Sequence, residues 1–321
     1  MTPMTVLGPR AGDPRVVSVG WDQTRRQTRR TEASVTRAER LIDAHGVNLC
    51  TESFGHPADP PILLVMGLGA SMLWWQEGFC RMLADTGRFV IRYDHRDTGR
   101  SVTYQPGRPG YTGADLVADA AAVLDGYRIP AAHVVGVSAG GAFAQLFALD
   151  HSDHVLSLVL ISTSPATPGD RRLPPPTERF TRFVTTTQLD RSDTGSAIDY
   201  LVGYSRMLAG GQRLFDEAPV RELVCREAER ARDFAAAANH DLLPHGEQQH
   251  RSLGSISVPT LVIHGSADPM FPLEHGEALA DEIPGARLMT LHGAGHGVER
   301  VDWPAIADAI IEHTAAQDRA G

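Results

Sequence analysis

The chain has 321 residues, 42% of them hydrophobic, and a net charge of −9 at pH 7 that is spread along its length. That supplies one large core or two modest ones, and no periodic face carries the clustered basic charge of a nucleic-acid binder. All 30 basic residues are arginine, so no Schiff-base amine and no lysine general base is available.

Residues 1–36 are polar and weakly periodic, with Arg10, Arg15, Arg25, Arg26, Arg29 and Arg30 scattered among them. They read as a flexible or loosely docked tail rather than a nucleic-acid arm. They hold no apolar stretch of signal-peptide length, and no segment of the chain approaches the ~18 apolar residues of a membrane span. The expectation is a soluble, cytoplasmic protein.

From residue 38 the pattern changes. "AERLIDAHGVNLCTESFG" (38–55) predicts two short strands joined at His45-Gly46. Unbroken apolar runs then alternate with helical segments: "ILLVMG" (62–67) before 71–86, "FVIRYD" (89–94) before 113–127, and "HVVGV" (133–137) before 139–150. "SLVLIS" (157–162) follows, then "TLVIHG" (260–265) before a helix near 274–283, and "RLMTLHG" (287–293) before a last helix at 304–316. Runs of Val, Ile and Leu without alternation suit strands buried on both faces, so the expected class is α/β with a mostly parallel twisted sheet flanked by helices. Between "LVLIST" and "TLVIHG" lie about 90 residues of loop and helical pattern without a good strand, an excursion long enough to form a lid. The domain reading is a tail at 1–36, a core at 37–165 plus 255–317, and a helical cap at 166–254.

The chemistry centres on Gly136-Val137-Ser138-Ala139-Gly140, a G-x-S-x-G between an apolar strand and an apolar helix. A strand that reverses sharply into a helix forces the serine into a sparsely allowed backbone region, and its neighbours two residues away must lack bulk. Ser138 is the candidate nucleophile. Its base is expected in a loop beyond the last strand run, where "LHGAGHGVE" offers His296, with His292 expected to be structural. The orienting acid is expected after the preceding strand, at Asp268 of "GSADPMFP", with Asp170 as a fallback. The oxyanion donors are expected at the amides of Ala139 and of Leu68, the latter within Gly67-Leu68-Gly69.

Weaker candidates for substrate contact are Gly67, Trp75, Asn239 and His240. Core packing is the alternative for the Trp74-Trp75 pair, and surface exposure for Asn239 and His240. Met207, Leu208 and Phe215 either line the cap's underside or hold the cap together. Cys50, Cys80 and Cys225 are odd in number, far apart and without metal-ligand spacing, so they read as buried free thiols. No metal and no organic cofactor is implied.

With these residues in place, the sequence resembles the α/β-hydrolase superfamily over residues 37–317, and within it the aclacinomycin methylesterase-like hydrolases of actinobacteria. The resemblance rests on "PADPPILLVMGLGASMLWW", "RFVIRYDHRDTGRS", "AHVVGVSAGG", "VPTLVIHGSADP" and "GAGHG". It implies the triad Ser138, Asp268 and His296, and an architectural role for Asp94, Arg96 and Gly99. It departs from those esterases in the loop "MGLGAS", in Ala139 and in the cap. The expected function is hydrolysis of a small-molecule carboxylic ester through an acyl-enzyme, with a secondary-metabolite methyl ester as one form of it. The alternatives are C–C, thioester or lactone hydrolysis, acyl transfer or perhydrolysis by the same residues, and a non-catalytic binding module. Oligomeric state is not legible.

Overall fold

The computed structural model describes residues 39–167, 169, 171–187, 189–190, 193–243 and 252–318. The proposed tail at 1–36 and the fallback acid Asp170 lie outside the described residues.

The first two strands, β1 (Arg40–Ala44) and β2 (Val47–Phe54), form an antiparallel hairpin. Its turn residues His45 and Gly46 both have positive φ, 55° and 87°, as a tight two-residue hairpin turn requires. The remaining strands are β3 (Pro61–Val65), β4 (Phe89–Tyr93), β5 (Ala132–Val137), β6 (Val155–Ile161), β7 (Thr260–Gly265) and β8 (Arg287–Leu291). They build one eight-stranded sheet in the order β1-β2-β4-β3-β5-β6-β7-β8. Pairings from β4 through β8 are parallel, and β2 joins β4 antiparallel.

Helices cover both faces, and the strand residues divide between them. Leu63, Val65, Val134, Leu158 and Leu160 share a core with α2 (Gly113–Tyr127) and α3 (Ala139–Asp150). Ile62, Leu64, Val135, Val159 and Ile161 share the other with α1 (Glu77–Ala84) and α8 (Trp303–Asp318). This two-sided burial is why the strands read as continuous apolar runs. The expected helix at 71–86 is a short 3-10 turn, Met72–Trp74, followed by α1. The helix α7 (Glu274–Glu282) separates β7 from β8.

Between β6 and β7 the described elements are α4 (Glu178–Thr186), α5 (Thr194–Leu208), α6 (Glu217–Arg230) and a 3-10 segment Phe234–Leu242 with a 3-10 turn at Leu253–Ser255. No described helix is long and apolar enough to cross a membrane. Cys50 and Cys80 are buried free thiols; Cys225 is also free but only half-buried, which corrects the expectation for that residue because it lies toward the outer side of α6.

Candidate active site

Parallel strands end at one edge of the sheet, so the segments following β3, β5, β6, β7 and β8 meet there. Ser138 stands where β5 reverses into α3. Its φ of 55° and ψ of −127° are rarely adopted by a residue with a side chain. The main chain holds it: the Ser138 N–H donates to the Ile161 carbonyl at 3.0 Å, and the Gly141 N–H donates to the Ser138 carbonyl at 2.9 Å. The flanking glycines are needed for close approach. A Cβ on Gly136 would strike the Gly140 carbonyl, and one on Gly140 would strike the carbonyl oxygens of Val65 and Met66.

Asp268 lies three residues beyond β7 and is buried. Its Oδ1 accepts from the amides of Met270 and Phe271 at 2.9 and 2.8 Å. Its Oδ2 stands 2.8 Å from His296 Nδ1. A carboxylate only accepts, so Nδ1 carries the proton and Nε2 keeps its lone pair. Burial would raise the Asp268 carboxyl, but the charge and hydrogen bond of His296 and the Phe271 amide outweigh it and hold it below the usual carboxylate range. The His296 N–H donates to the Leu208 carbonyl at the end of α5 at 2.8 Å. The ring packs against Phe271, with centroids 5.6 Å apart.

The end of β6 connects the serine turn to the histidine loop. Thr163 Oγ1 donates to the Ser138 carbonyl at 2.6 Å, and Ser162 Oγ accepts from the Gly297 N–H at 3.2 Å. Sequence reasoning passed over both residues as the tail of a strand; two consecutive hydroxyls just past an apolar run were the available signal.

The loop after β3 lies against Ser138, since a Cβ on Gly67 would stand 3.2 Å from that of Ser138. Leu68 is exposed there at 40%. Its amide makes no hydrogen bond to another described residue. Ala139 is the first residue of α3, where an N–H has no acceptor within the helix. Among the described residues neither amide has a hydrogen-bond partner.

The other candidates are placed differently. Trp75 is 1% exposed and stacks on Phe79 at 5.8 Å, within the core that contains α1 and α8. Asn239 and His240 are buried rather than exposed. Asn239 Nδ2 donates to Asp97 Oδ2 at 2.8 Å, and its Oδ1 accepts from the Gly107 N–H at 2.7 Å. His240 bonds to the Gly69 amide and the Arg96 carbonyl. His292 is exposed, with its carbonyl accepting from Arg213.

Asp94 accepts from the Met72 and Arg100 amides at 2.9 Å each, and Arg96 forms a two-pronged pair with Asp119 at 2.9 and 2.7 Å. Gly99 has φ 50°, and a Cβ there would collide with the Asp94 carboxylate. These contacts are architectural.

Elsewhere in the sheet a serine, a histidine and an aspartate are joined by side-chain contacts. His133 Nδ1 lies 2.8 Å from Ser157 Oγ, and its Nε2 lies 3.2 Å from Asp318 Oδ1. Ser157 and His133 are fully buried within β6 and β5, with no turn to present the hydroxyl. Among the described residues no group of three or more His, Cys, Asp or Glu is placed to hold a metal ion.

A family model described as serine aminopeptidase, S33, matches residues 56–300, which takes in every strand from β3 to β8. The chain belongs to the α/β-hydrolase family. This α/β-hydrolase is 34% identical over 292 residues to rhodomycin D methylesterase DauP of Streptomyces sp. (strain C5), covering 86% of this chain and 98% of that one. It is equally similar to rhodomycin D methylesterase DnrP of Streptomyces peucetius. A putative carbamate hydrolase RutD of Caulobacter segnis is 28% identical over 281 residues, covering 82% of this chain and 95% of its own. Among solved structures, the meta-cleavage product hydrolase CumD of Pseudomonas fluorescens IP01 superposes with a TM-score of 0.69 at 22% identity, covering 86% of this chain and 97% of its own. Esterase EaEST of Exiguobacterium antarcticum gives the same TM-score at 21% identity, covering 87% and 100%. Both share its fold.

Proposed function

We propose that this α/β-hydrolase cleaves a small-molecule carboxylic ester, with Ser138 as nucleophile, His296 as base and Asp268 as the acid that orients it. The observation that carries the reading is the His296 Nδ1 to Asp268 Oδ2 hydrogen bond at 2.8 Å, on the sheet edge where Ser138 is held in its strained turn. That bond leaves Nε2 as the basic nitrogen.

In the first half-reaction, Nε2 takes the Ser138 hydroxyl proton as Oγ bonds to the ester carbonyl carbon. The carbonyl π electrons move onto oxygen, and the Leu68 and Ala139 amides stabilise that oxyanion. Collapse breaks the bond to the alkoxy group, which leaves as alcohol with the proton from Nε2. Water then attacks the acyl-enzyme with His296 as base, releasing the acid and restoring Ser138. Asp268 stabilises the imidazolium in both halves without taking the proton itself.

A methyl ester is the substrate class that the 34% identical relatives' names support for this chain. Residues 166–254, whose described helices run from α4 through α6, act in this reading as a cap over the sheet edge.

The test is turnover of p-nitrophenyl butyrate by wild-type protein and by Ser138→Ala. Loss of about three orders of magnitude or more is expected. Near-normal turnover in the variant would remove Ser138 from the role.

A further inference from the structure

The 3-10 segment Phe234–Leu242 and the helix α6 reach the loop after β3 through side chains that the proposed reaction leaves unused. His240 Nδ1 lies 2.7 Å from the Gly69 N–H and can only accept from it. Its Nε2 therefore carries the proton and donates to the Arg96 carbonyl at 2.8 Å. Two residues further along the loop, Glu227 Oε1 accepts from the Ser71 N–H at 2.5 Å, and Oε2 accepts from Trp74 Nε1 at 2.7 Å. On the other side of Leu68, the Met66 carbonyl lies 2.8 Å from His95 Nε2.

Met66 and Gly69 are thus pinned by two imidazoles, with Leu68 between them. The Gly69 amide is taken by His240, while the neighbouring Leu68 amide has no hydrogen-bond partner among the described residues, and Gly67 on its other side lies against Ser138. His240 is itself fixed. Its acceptor Arg96 is locked by Asp119, and its neighbour Asn239 is bonded to Asp97 and to the Gly107 amide.

We infer that His240, supported by Glu227, is a positioning residue that sets the Leu68 amide for the oxyanion. The segment between β6 and β7 is then part of the catalytic geometry as well as a cover over it. This rests on the reading of Leu68 as an oxyanion donor. It assigns His240 to the loop's backbone rather than to substrate or to an exposed surface position.

A donor displaced by about 1 Å costs roughly 10- to 100-fold in rate and little in ground-state binding. The experiment compares His240→Leu, which removes the acceptor, with His240→Asn, whose Oδ1 can stand where Nδ1 stood. Each is measured for kcat and KM on p-nitrophenyl butyrate. Each is also measured for inhibition by an alkyl trifluoromethyl ketone, whose hemiketal with Ser138 places a real oxyanion between the amides.

Expected for His240→Leu is a kcat lower by about 10- to 100-fold, a KM within about threefold, and a matching loss of ketone affinity. His240→Asn should recover most of both. Glu227→Gln keeps the shape but turns one acceptor into a donor. It should give the same pattern more weakly, and it decides the matter if His240→Leu does not fold. Unchanged kcat in His240→Leu and Glu227→Gln would overturn the inference. So would a change confined to KM, or a folded His240→Asn as impaired as His240→Leu. If Ser138→Ala retains turnover, the failure lies instead with the proposed ester chemistry.

Discussion

Thr163 Oγ1 donates to the main-chain carbonyl of Ser138 at 2.6 Å, so the hydroxyl at the end of β6 grips the turn that presents the serine. The same carbonyl also accepts from the Gly141 amide at 2.9 Å, and Thr163 packs against Gly141. Thr163→Val keeps the shape and removes one of these donors. The expected cost is about 1 kcal/mol of stability, read from urea unfolding. Ester turnover should fall about threefold to tenfold as the strained turn relaxes. Wild-type stability and turnover in this variant would show that the turn holds its conformation without the Thr163 hydroxyl.

The set of buried Ser157 and His133 with Asp318 supplies an internal control for the proposed chemistry. It has the same residue types, with contacts of 2.8 and 3.2 Å, but Ser157 and His133 are fully buried within strands and no strained turn presents the hydroxyl. Ser157→Ala should cost about 1 kcal/mol through the lost hydrogen bond and leave kcat/KM within about twofold of wild type. A loss of turnover as deep as that of Ser138→Ala would contradict the assignment of the nucleophile.

His95 supplies a pH dependence with a defined sign. Burial pushes its imidazole down to about 4, and the nearby His240 adds to that, against the Met66 carbonyl. In the unfolded chain the group titrates near 6.5. Above that value both states are neutral at His95. As pH falls from 6.5 toward 4, the unfolded chain takes up a proton that the folded protein resists, so stability is lost across that window. The gap corresponds to on the order of 3 kcal/mol. His133, His264 and His313 are lowered by burial in the same direction, so wild-type protein carries their contributions too. His95→Gln, whose amide nitrogen can replace Nε2, should lose less stability between pH 7 and pH 4.5 than wild type. Equal losses in parallel urea titrations would refute the assignment to His95.

The fold was legible because its signals are local. Apolar runs such as "ILLVM" and "SLVLI" record burial on both faces, and His45-Gly46 records a hairpin turn. The spacing of Gly136, Ser138 and Gly140 records a reversal that excludes a Cβ on either side. Asp268 and His296 each lie in the loop that follows a strand run, so their arrival at one sheet edge follows from parallel pairing. The supports of that edge are of another kind. His240 meets Gly69 across 171 residues of chain, and Glu227 meets Ser71 across 156. Nothing near His240 in the sequence distinguishes a buried acceptor for a backbone amide from a surface imidazole. Leu208 serves His296 through its carbonyl, which every residue possesses. Trp75 turned inward because the 3-10 turn before α1 rotates it onto Phe79.

The central claim is that the acyl group passes through Ser138. Wild-type protein quenched in acid during turnover of p-nitrophenyl butyrate, then weighed intact and mapped by peptide mass spectrometry, tests this directly. The account predicts a gain of one butyryl group, about 70 Da, located on the peptide containing Ser138 and absent from Ser138→Ala. An acyl group on another residue, or the same adduct persisting in Ser138→Ala, would contradict it.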